Sequence, residues 1–240
     1  GAEVLLKPAF EDQKEKELYQ AKIEFFINIA HEIRTPLTLI KNPLERVLQD
    51  GHLPDKVEES LRLMDKNVSR LLSLVNQLLD FRRTEIEGFR LNFVRTNLVE
   101  LLQETTDRFQ ESAASQGLLL NWTSSAAELY AYVDREAVTK IFSNLLANAI
   151  KYARSSIRIH LRLNDREQIE MDFINDGKSI PDELREKIFE PFYRIPNTEG
   201  KTGTGLGLPL ARSLAEMHHG TLVLDKPGTD GAQTCFRLLL

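Results

Sequence analysis

The sequence predicts two successive units of different class: an all-α helical hairpin over residues 1–88 that pairs with a second copy into a four-helix bundle, then an α+β sandwich over residues 89–240. Two patterns predict it. Apolar residues in the first ninety positions step by four and three, and from about Phe93 short strands alternate with separated helices. The 42% hydrophobic content of the 240 residues is enough to fill a packed core.

The first series runs Phe26, Ala30, Ile33, Leu37, Ile40, Leu44 and Val47, and the second Val57, Leu61, Met64, Val68, Leu71, Val75 and Leu78. Both have the seam spacing of coiled coils and bundles. Between them "QDGHLPDK", Gln49 to Lys56, carries Gly51 and Pro54 and suits a turn. Phe25, Ile29, Leu48, Leu72, Leu74 and Leu79 widen each apolar face beyond a two-stranded seam. An isolated hairpin would leave much of that face wet, so a homodimer is expected. One residue disturbs the first helix. In "FFINIAHEIRTPLTLI", Pro36 cannot donate to the carbonyl of Glu32 and its ring presses on that turn, so a break or bend is expected on the turn bearing His31. The seam pattern stops between Arg83 and Phe93, where a boundary and a hinge are expected.

In the second unit, "TNLVELLQETTDRFQESAASQ" reads as a helix capped by Asn97, and "DREAVTKIFSNLLANAIKYA" as a helix capped by Asp134. Strands are expected in "LLLNWTS", "SSIRIHLRL", "QIEMDFIND", "GTLVLD" and "QTCFRLLL", with a polar loop region and a helix in "GLPLARSLAEMHHG" between the third and fourth. One sheet face should be covered by the helices.

Composition narrows the chemistry. Net charge is −5, from 31 basic and 36 acidic residues that are intermixed, so no basic field points to nucleic acid. The single Cys235 excludes an intrachain disulfide and suits a reducing compartment; no Cys/His spacing resembles a zinc site. No apolar run reaches the roughly 20 residues that span a bilayer, and no secretory signal is recognisable, so membrane contact by this segment is not expected.

Three stretches carry candidate chemistry. In "NLLANAIKY", Asn144, Asn148 and Lys151 share one helix face while Leu145, Ala149 and Tyr152 can face the core. Asparagine is a poor helix-interior residue, so two of them suggest a partner: amide oxygens beside phosphate oxygens suit Mg²⁺, and Lys151 can neutralise phosphate. Plain solvation of both amides is the competing reading. In "INDGKSI", Asp176 at a strand end can accept from an exocyclic amino group such as adenine's, with Gly177 admitting the base, although Asp-Gly is also the commonest turn signal. In "GTGLGL", Gly203, Gly205 and Gly207 precede a helix, so main-chain N–H groups can crowd an anion. It is no Walker A loop, since Ile195 stands where the first glycine belongs, and no Rossmann loop, since no strand leads into it. A mobile lid entered through "PNTEGKT" remains.

Taken in order, "HEIRTP", "NLLANAIKY", "NDGKSI", "FEPFYR" and "GTGLGL" closely resemble the H, N, G1, F and G2 boxes of sensor histidine kinases, over about Glu11 to Leu240. "FFINIAHEIRTPLTLI" looks most like the hybrid sensor kinases of Bacteroides-type bacteria. The resemblance implies a Bergerat-type ATP-binding sandwich behind a dimerisation and histidine-phosphotransfer hairpin. It implies that His31 accepts the phosphoryl group, with Glu32 as its acidic neighbour and Thr35 positioning a water for dephosphorylating the partner. It also implies ATP and Mg²⁺ as cofactors: Asn148 as the metal ligand, Asn144 and Lys151 near the phosphates, Tyr152, Asp176, Gly177, Ile180 and Phe192 around the nucleotide, and Gly203, Gly205, Leu206 and Gly207 as the lid. Arg194 would stabilise the transferring phosphoryl. Implied partners are a second copy and the aspartate of a response-regulator receiver domain, in the same chain or separate, with the segment being the cytoplasmic portion of an inner-membrane sensor. The sequence departs from the pattern at Ser179, where a second glycine is usual. A gyrase- or chaperone-type ATPase and a dimeric relay with a decayed nucleotide site stay open as alternatives.

Overall fold

The computed structural model describes residues 29–49, 53–85, 90–196, 203–225 and 233–240. The chain divides into two compact units, Gly1–Ile86 and Glu87–Leu240. Phe25, Phe26, Asp50 to His52 of the "QDGHLPDK" turn, the expected boundary at 88/89 and most of the "PNTEGKT" approach lie outside the described residues.

Among its described residues the first unit is a pair of helices, α1 (residues 29–49) and α2 (Asp55–Glu85). The carbonyl of Pro54 opens α2 by accepting from the amides of Val57 (2.8 Å) and Glu58 (3.0 Å). Arg34 pairs across with Asn76, and Lys41 with Ser69, so seven residues forward on α1 match seven backward on α2 and the helices are antiparallel. The apolar seam is divided. Ala30, Leu37 and Leu44 are buried together with Val68, Val75 and Leu79, whereas Ile33, Ile40, Val47, Val57, Met64 and Leu71 remain 41–56% exposed. The expected break at Pro36 does not occur: α1 is continuous through both Pro36 and Pro43. Proline removes one ladder bond, and the carbonyl it orphans belongs to Glu32, an exposed residue whose backbone water can reach, so the loss weakens the turn without ending the helix.

The second unit is built from a sheet and three helices. Strands β2 (Leu119–Ser124), β4 (Ser156–Leu163), β5 (Ile169–Asn175), β7 (Thr234–Leu239) and β6 (Thr221–Asp225) lie side by side in that order, and only β2 and β4 are parallel. Helices α3 (Leu98–Ser115), α4 (Arg135–Tyr152) and α5 (Gly207–Met217) pack against one another and cover one sheet face. The core lies between the layers, with Phe142 of α4 against Phe173 of β5 at 5.9 Å between ring centroids. Both predicted caps form: Asn97 Oδ1 accepts from the Val99 amide (3.2 Å) and Asp134 Oδ1 from that of Ala137 (3.0 Å), each typically contributing about 1 kcal/mol. Two elements went unpredicted. A ribbon of β1 (Val94–Asn97) and β3 (Tyr130–Val133) pairs segments distant in sequence, each only four residues long and too short to show a period. Single 3₁₀ turns, Asp182–Leu184 and Lys187–Phe189, occupy the polar loop region.

β4 shows the expected alternation, but β5 is buried along nearly its whole length. Its outward Asp172 is covered by arginine stems from both neighbouring strands. Arg237 donates through Nε to Oδ1 (2.7 Å) and through Nη2 to Oδ2 (3.1 Å), and Arg162 donates through Nη2 to Oδ2 (2.8 Å). Burial pushes the Asp172 carboxyl upward, but the hydrogen bonds and charges of Arg237 and Arg162 outweigh it and hold the group below the usual carboxylate range. Its stabilisation is therefore full above its unfolded value and is lost as pH falls through the lower folded value. Asp172→Asn should cost about 2 kcal/mol at pH 7, less than a fully buried pair because both arginines reach water. In urea melts the difference from wild type should shrink below about pH 4; a pH-independent difference would contradict this account.

Candidate active site

The site is assembled on α4. Its inward residues Ile141, Leu145 and Ala149 are buried, whereas Tyr152, expected on the same face, is only half-buried at the helix end, as are Asn144, Asn148 and Lys151. Asn144 donates through Nδ2 to the carbonyl of Lys140 (3.0 Å), which turns Oδ1 toward the glycine segment. A Cβ at Gly207 would lie 3.0 Å from that Oδ1, and one at Gly203 would lie 2.8 Å from Lys151 Nζ. Two of the predicted glycines thus abut two of the predicted polar side chains. Lys151 Nζ also stands 4.8 Å from the Tyr152 ring centroid.

The third glycine has a different neighbour. Gly205 adopts φ +76°, and a Cβ there would meet the Phe192 carbonyl carbon and the Tyr193 oxygen, each at 2.8 Å. Phe192 is itself left-handed at φ 66°, an unusual conformation for a bulky residue, and its amide donates to the Gly205 carbonyl (3.0 Å). The "FEPFYR" and "GTGLGL" stretches are therefore joined main chain to main chain. Leu206 is buried, its amide donating to Thr204 Oγ1 (3.3 Å), and its carbonyl accepts from Leu210 as α5 begins without a side-chain cap. An amide oxygen and an ammonium group thus face the glycine segment, chemistry suited to phosphate and its hard cation rather than to a cage of protein ligands. Among the described residues no group of three His, Cys, Asp or Glu could hold a metal ion. Asn148 lies one turn on from Asn144 on the same helix and is half-buried.

Asp176 follows β5 and is already well used. Its Oδ1 accepts from the amides of Arg154 (2.8 Å) and Ser155 (3.1 Å), and its Oδ2 accepts from the Ser155 amide (3.0 Å) and hydroxyl (2.5 Å). Burial opposes ionisation, but these donors prevail and keep the carboxylate ionised far below its ordinary range. It pins the α4–β4 connection, and one lone pair or more can still accept another donor. Gly177 is tightly enclosed, since a Cβ would collide with the Tyr152 carbonyl and stand 2.7 Å from Asn175 Oδ1. Ile180 is half-buried, while Ser179 and Arg194 are exposed. On the first unit His31, Glu32 and Thr35 all lie on the open side of α1. Sequence reasoning missed Ser155, Arg154, Asn175 and Thr204, whose roles depend on neighbours brought in by folding. Nothing in residue type marked the left-handed Phe192.

Residues 21–87 match the His Kinase A (phospho-acceptor) domain, and residues 133–240 match the family of histidine kinase-, DNA gyrase B- and HSP90-like ATPases. The chain is 37% identical over 230 residues to histidine kinase P4 of Formosa agariphila, covering 92% of this chain and 17% of that protein. It is 34% identical to the sensor histidine kinase TmoS of Ectopseudomonas mendocina over 89% of this chain and 22% of that one. The chain therefore spans about a fifth of the length of these relatives. Full-length ShkA in complex with AMPPNP shares the fold with a TM-score of 0.74 over 89% of this chain and 45% of that one, at 23% identity. The catalytic domain of histidine kinase ThkA matches 62% of this chain and 95% of that one with a TM-score of 0.55 at 27% identity. No helix among the described residues is long and apolar enough to cross a membrane.

Proposed function

The chain belongs to the sensor histidine kinases and carries their phosphoacceptor and ATPase domains in that order, and on that footing we propose that His31 takes the γ-phosphoryl group of ATP and passes it to an aspartate of a receiver domain. A ring-nitrogen lone pair of His31 attacks phosphorus, a P–N bond forms, the bond from phosphorus to the bridging oxygen breaks and ADP departs with that oxygen. The adjacent Glu32 holds the proton on the other ring nitrogen, which makes the imidazole a better nucleophile. Lys151, Asn144 and the main chain of the glycine segment bind the phosphates, and exposed Arg194 balances charge on the group in flight. Asn148 would hold Mg²⁺, which would supply charge neutralisation at the phosphates. Asp176 takes the adenine amino group on the acceptor capacity left by Arg154 and Ser155. Transfer requires phosphorus to come within about 3–3.5 Å of the imidazole, so we assign the chain near residues 83–93 as a hinge between a phosphotransfer unit and an ATP-binding unit. Thr35, one turn from His31, positions the water that removes phosphate from the receiver.

The observation that carries this reading is the approach of Gly203 to Lys151 and of Gly207 to Asn144, in a unit that follows a hairpin exposing a histidine. Incubation with γ-labelled ATP should leave phosphate that is labile in acid and stable in base. Label that survives acid would place it on an oxygen and end the proposal.

The same hairpin supports a homodimer. Its single-chain packing uses only half of each seam, and the exposed half recurs every seven residues on both helices, as a second copy would require. Ile40→Asp should therefore give a monomer in sedimentation at micromolar concentration where the wild type is dimeric; an unchanged dimer would refute this interface. We further take the segment to be the cytoplasmic part of a membrane-anchored sensor, with the receiver in the same chain or a separate one.

A further inference from the structure

Pro36 interrupts the ladder of α1, yet α1 continues, and the side chains around it show what compensates. Thr38 Oγ1 donates to the carbonyl of Arg34 (2.9 Å), a staple that spans the proline within the helix. Two polar rungs to α2 bracket the same segment. On the side nearer His31, Arg34 Nη2 donates to Asn76 Oδ1 (2.6 Å). On the far side, Lys41 Nζ donates to Ser69 Oγ (2.7 Å) and pairs with Asp65 (3.3 Å) and Glu45 (2.7 Å). Arg34 and Lys41 are seven apart, as are Asn76 and Ser69, so both rungs lie along one face with the weakened turn between them. Buried Ala30 and Leu37 hold that turn on its apolar side, which leaves rotation and bending to be restrained by the rungs.

The rungs differ in redundancy. Lys41 has three oxygen partners on two helices, so losing any one leaves the contact. Arg34 reaches α2 through the Asn76 amide oxygen, three residues after His31 and two before Pro36.

We propose that Asn76 is a positioning residue: by holding Arg34 it clamps the His31-bearing turn against α2 across the Pro36 defect and keeps the imidazole exposed for phosphoryl transfer. The inference rests on the reading of His31 as the phosphoacceptor, but the clamp itself is a property of the hairpin. Opening it lets the proline turn bend, and the fraction of time in which His31 is attackable falls.

The test is a double-mutant cycle in the full chain with Asn76→Ala and Pro36→Ala. At saturating Mg-ATP, Asn76→Ala should lower the phosphorylation rate about tenfold, the size expected for a hydrogen bond to a charged group, with KM for ATP unchanged. In the Pro36→Ala background the ladder is restored and the same substitution should change the rate less than about twofold. Asn76→Asp, which keeps an acceptor for Arg34, should retain the wild-type rate. Hydrogen exchange gives a readout independent of phosphorylation: Asn76→Ala should speed exchange of the amides of residues 33–38 when Pro36 is present and leave it unchanged in the Pro36→Ala background. Equal effects of Asn76→Ala in both backgrounds, on rate or on exchange, would overturn the clamp. Coupled exchange without any labelling of His31 would uphold the clamp and overturn the assignment of the phosphoacceptor.

Discussion

His31→Gln will reduce acid-labile labelling by ATP to background while Mg-ATP affinity stays within about twofold of wild type. Glutamine is a good helix former, and His31 is exposed, so stability should move by less than about 0.5 kcal/mol. What disappears is an exposed nitrogen nucleophile on α1. Of the four other histidines, His218 and His160 are poorer candidates on geometry. His218 has both ring nitrogens engaged, Nδ1 with the Leu214 carbonyl (2.7 Å) and Nε2 as acceptor from the Asp134 amide (3.0 Å). His160 uses Nδ1 with the Thr123 hydroxyl (2.8 Å). Label on the His31→Gln protein equal to wild type would remove the central assignment; loss of label together with loss of ATP binding would mean that the substitution had damaged more than the acceptor.

Gly205→Ala is expected to weaken Mg-ATP binding at least tenfold, measured by calorimetry on the full chain. Two costs combine. An alanine at φ +76° pays roughly 1–2 kcal/mol for the left-handed conformation. Its Cβ would also stand 2.8 Å from two main-chain atoms of Phe192 and Tyr193, which cannot swing aside as a flexible side chain would. Relief requires opening the Phe192–Gly205 hydrogen bond, which displaces Gly207 from Asn144 and shifts the backbone that carries Arg194. Gly117→Ala is the matched control: that glycine is also left-handed, at φ +71°, but a Cβ there has nothing within 4 Å. It should lose stability alone, with ATP affinity intact. Equal affinities for the two variants would show that the contact with the "FEPFYR" segment is irrelevant to nucleotide binding.

Both predictions use residues that the sequence marks, but for reasons only partly visible there. Gly203, Gly205 and Gly207 stand out as a group because glycines before a helix leave main-chain amides open. The structure gives each a different partner: a lysine ammonium, a main-chain turn and an asparagine amide. Gly177 is similar. Its sequence rationale is access for a base, and its immediate neighbour is the Tyr152 carbonyl, brought there because Asp176 pins the chain between α4 and β4. The left-handed Phe192 had no local cue at all, since bulky residues avoid that conformation and it is the Gly205 carbonyl that holds it there.

Local rules sufficed wherever the determining interaction spans a few residues. The two seams, the caps Asn97 and Asp134, the five main strands and the order of the motifs were legible because periodicity, capping and turn chemistry act within a turn or two of chain. Tertiary structure decided the rest. That α1 runs on through Pro36 is not fixed by residue type, and Arg34, beside the proline, meets Asn76 from 42 residues away. Whether β5 alternates depends on two arginines from its neighbouring strands closing over Asp172, and which half of each seam faces inward depends on how α1 and α2 are rotated against each other. A single chain records none of these directly, because each is settled by the packing free energy of surfaces that meet only after the elements have formed.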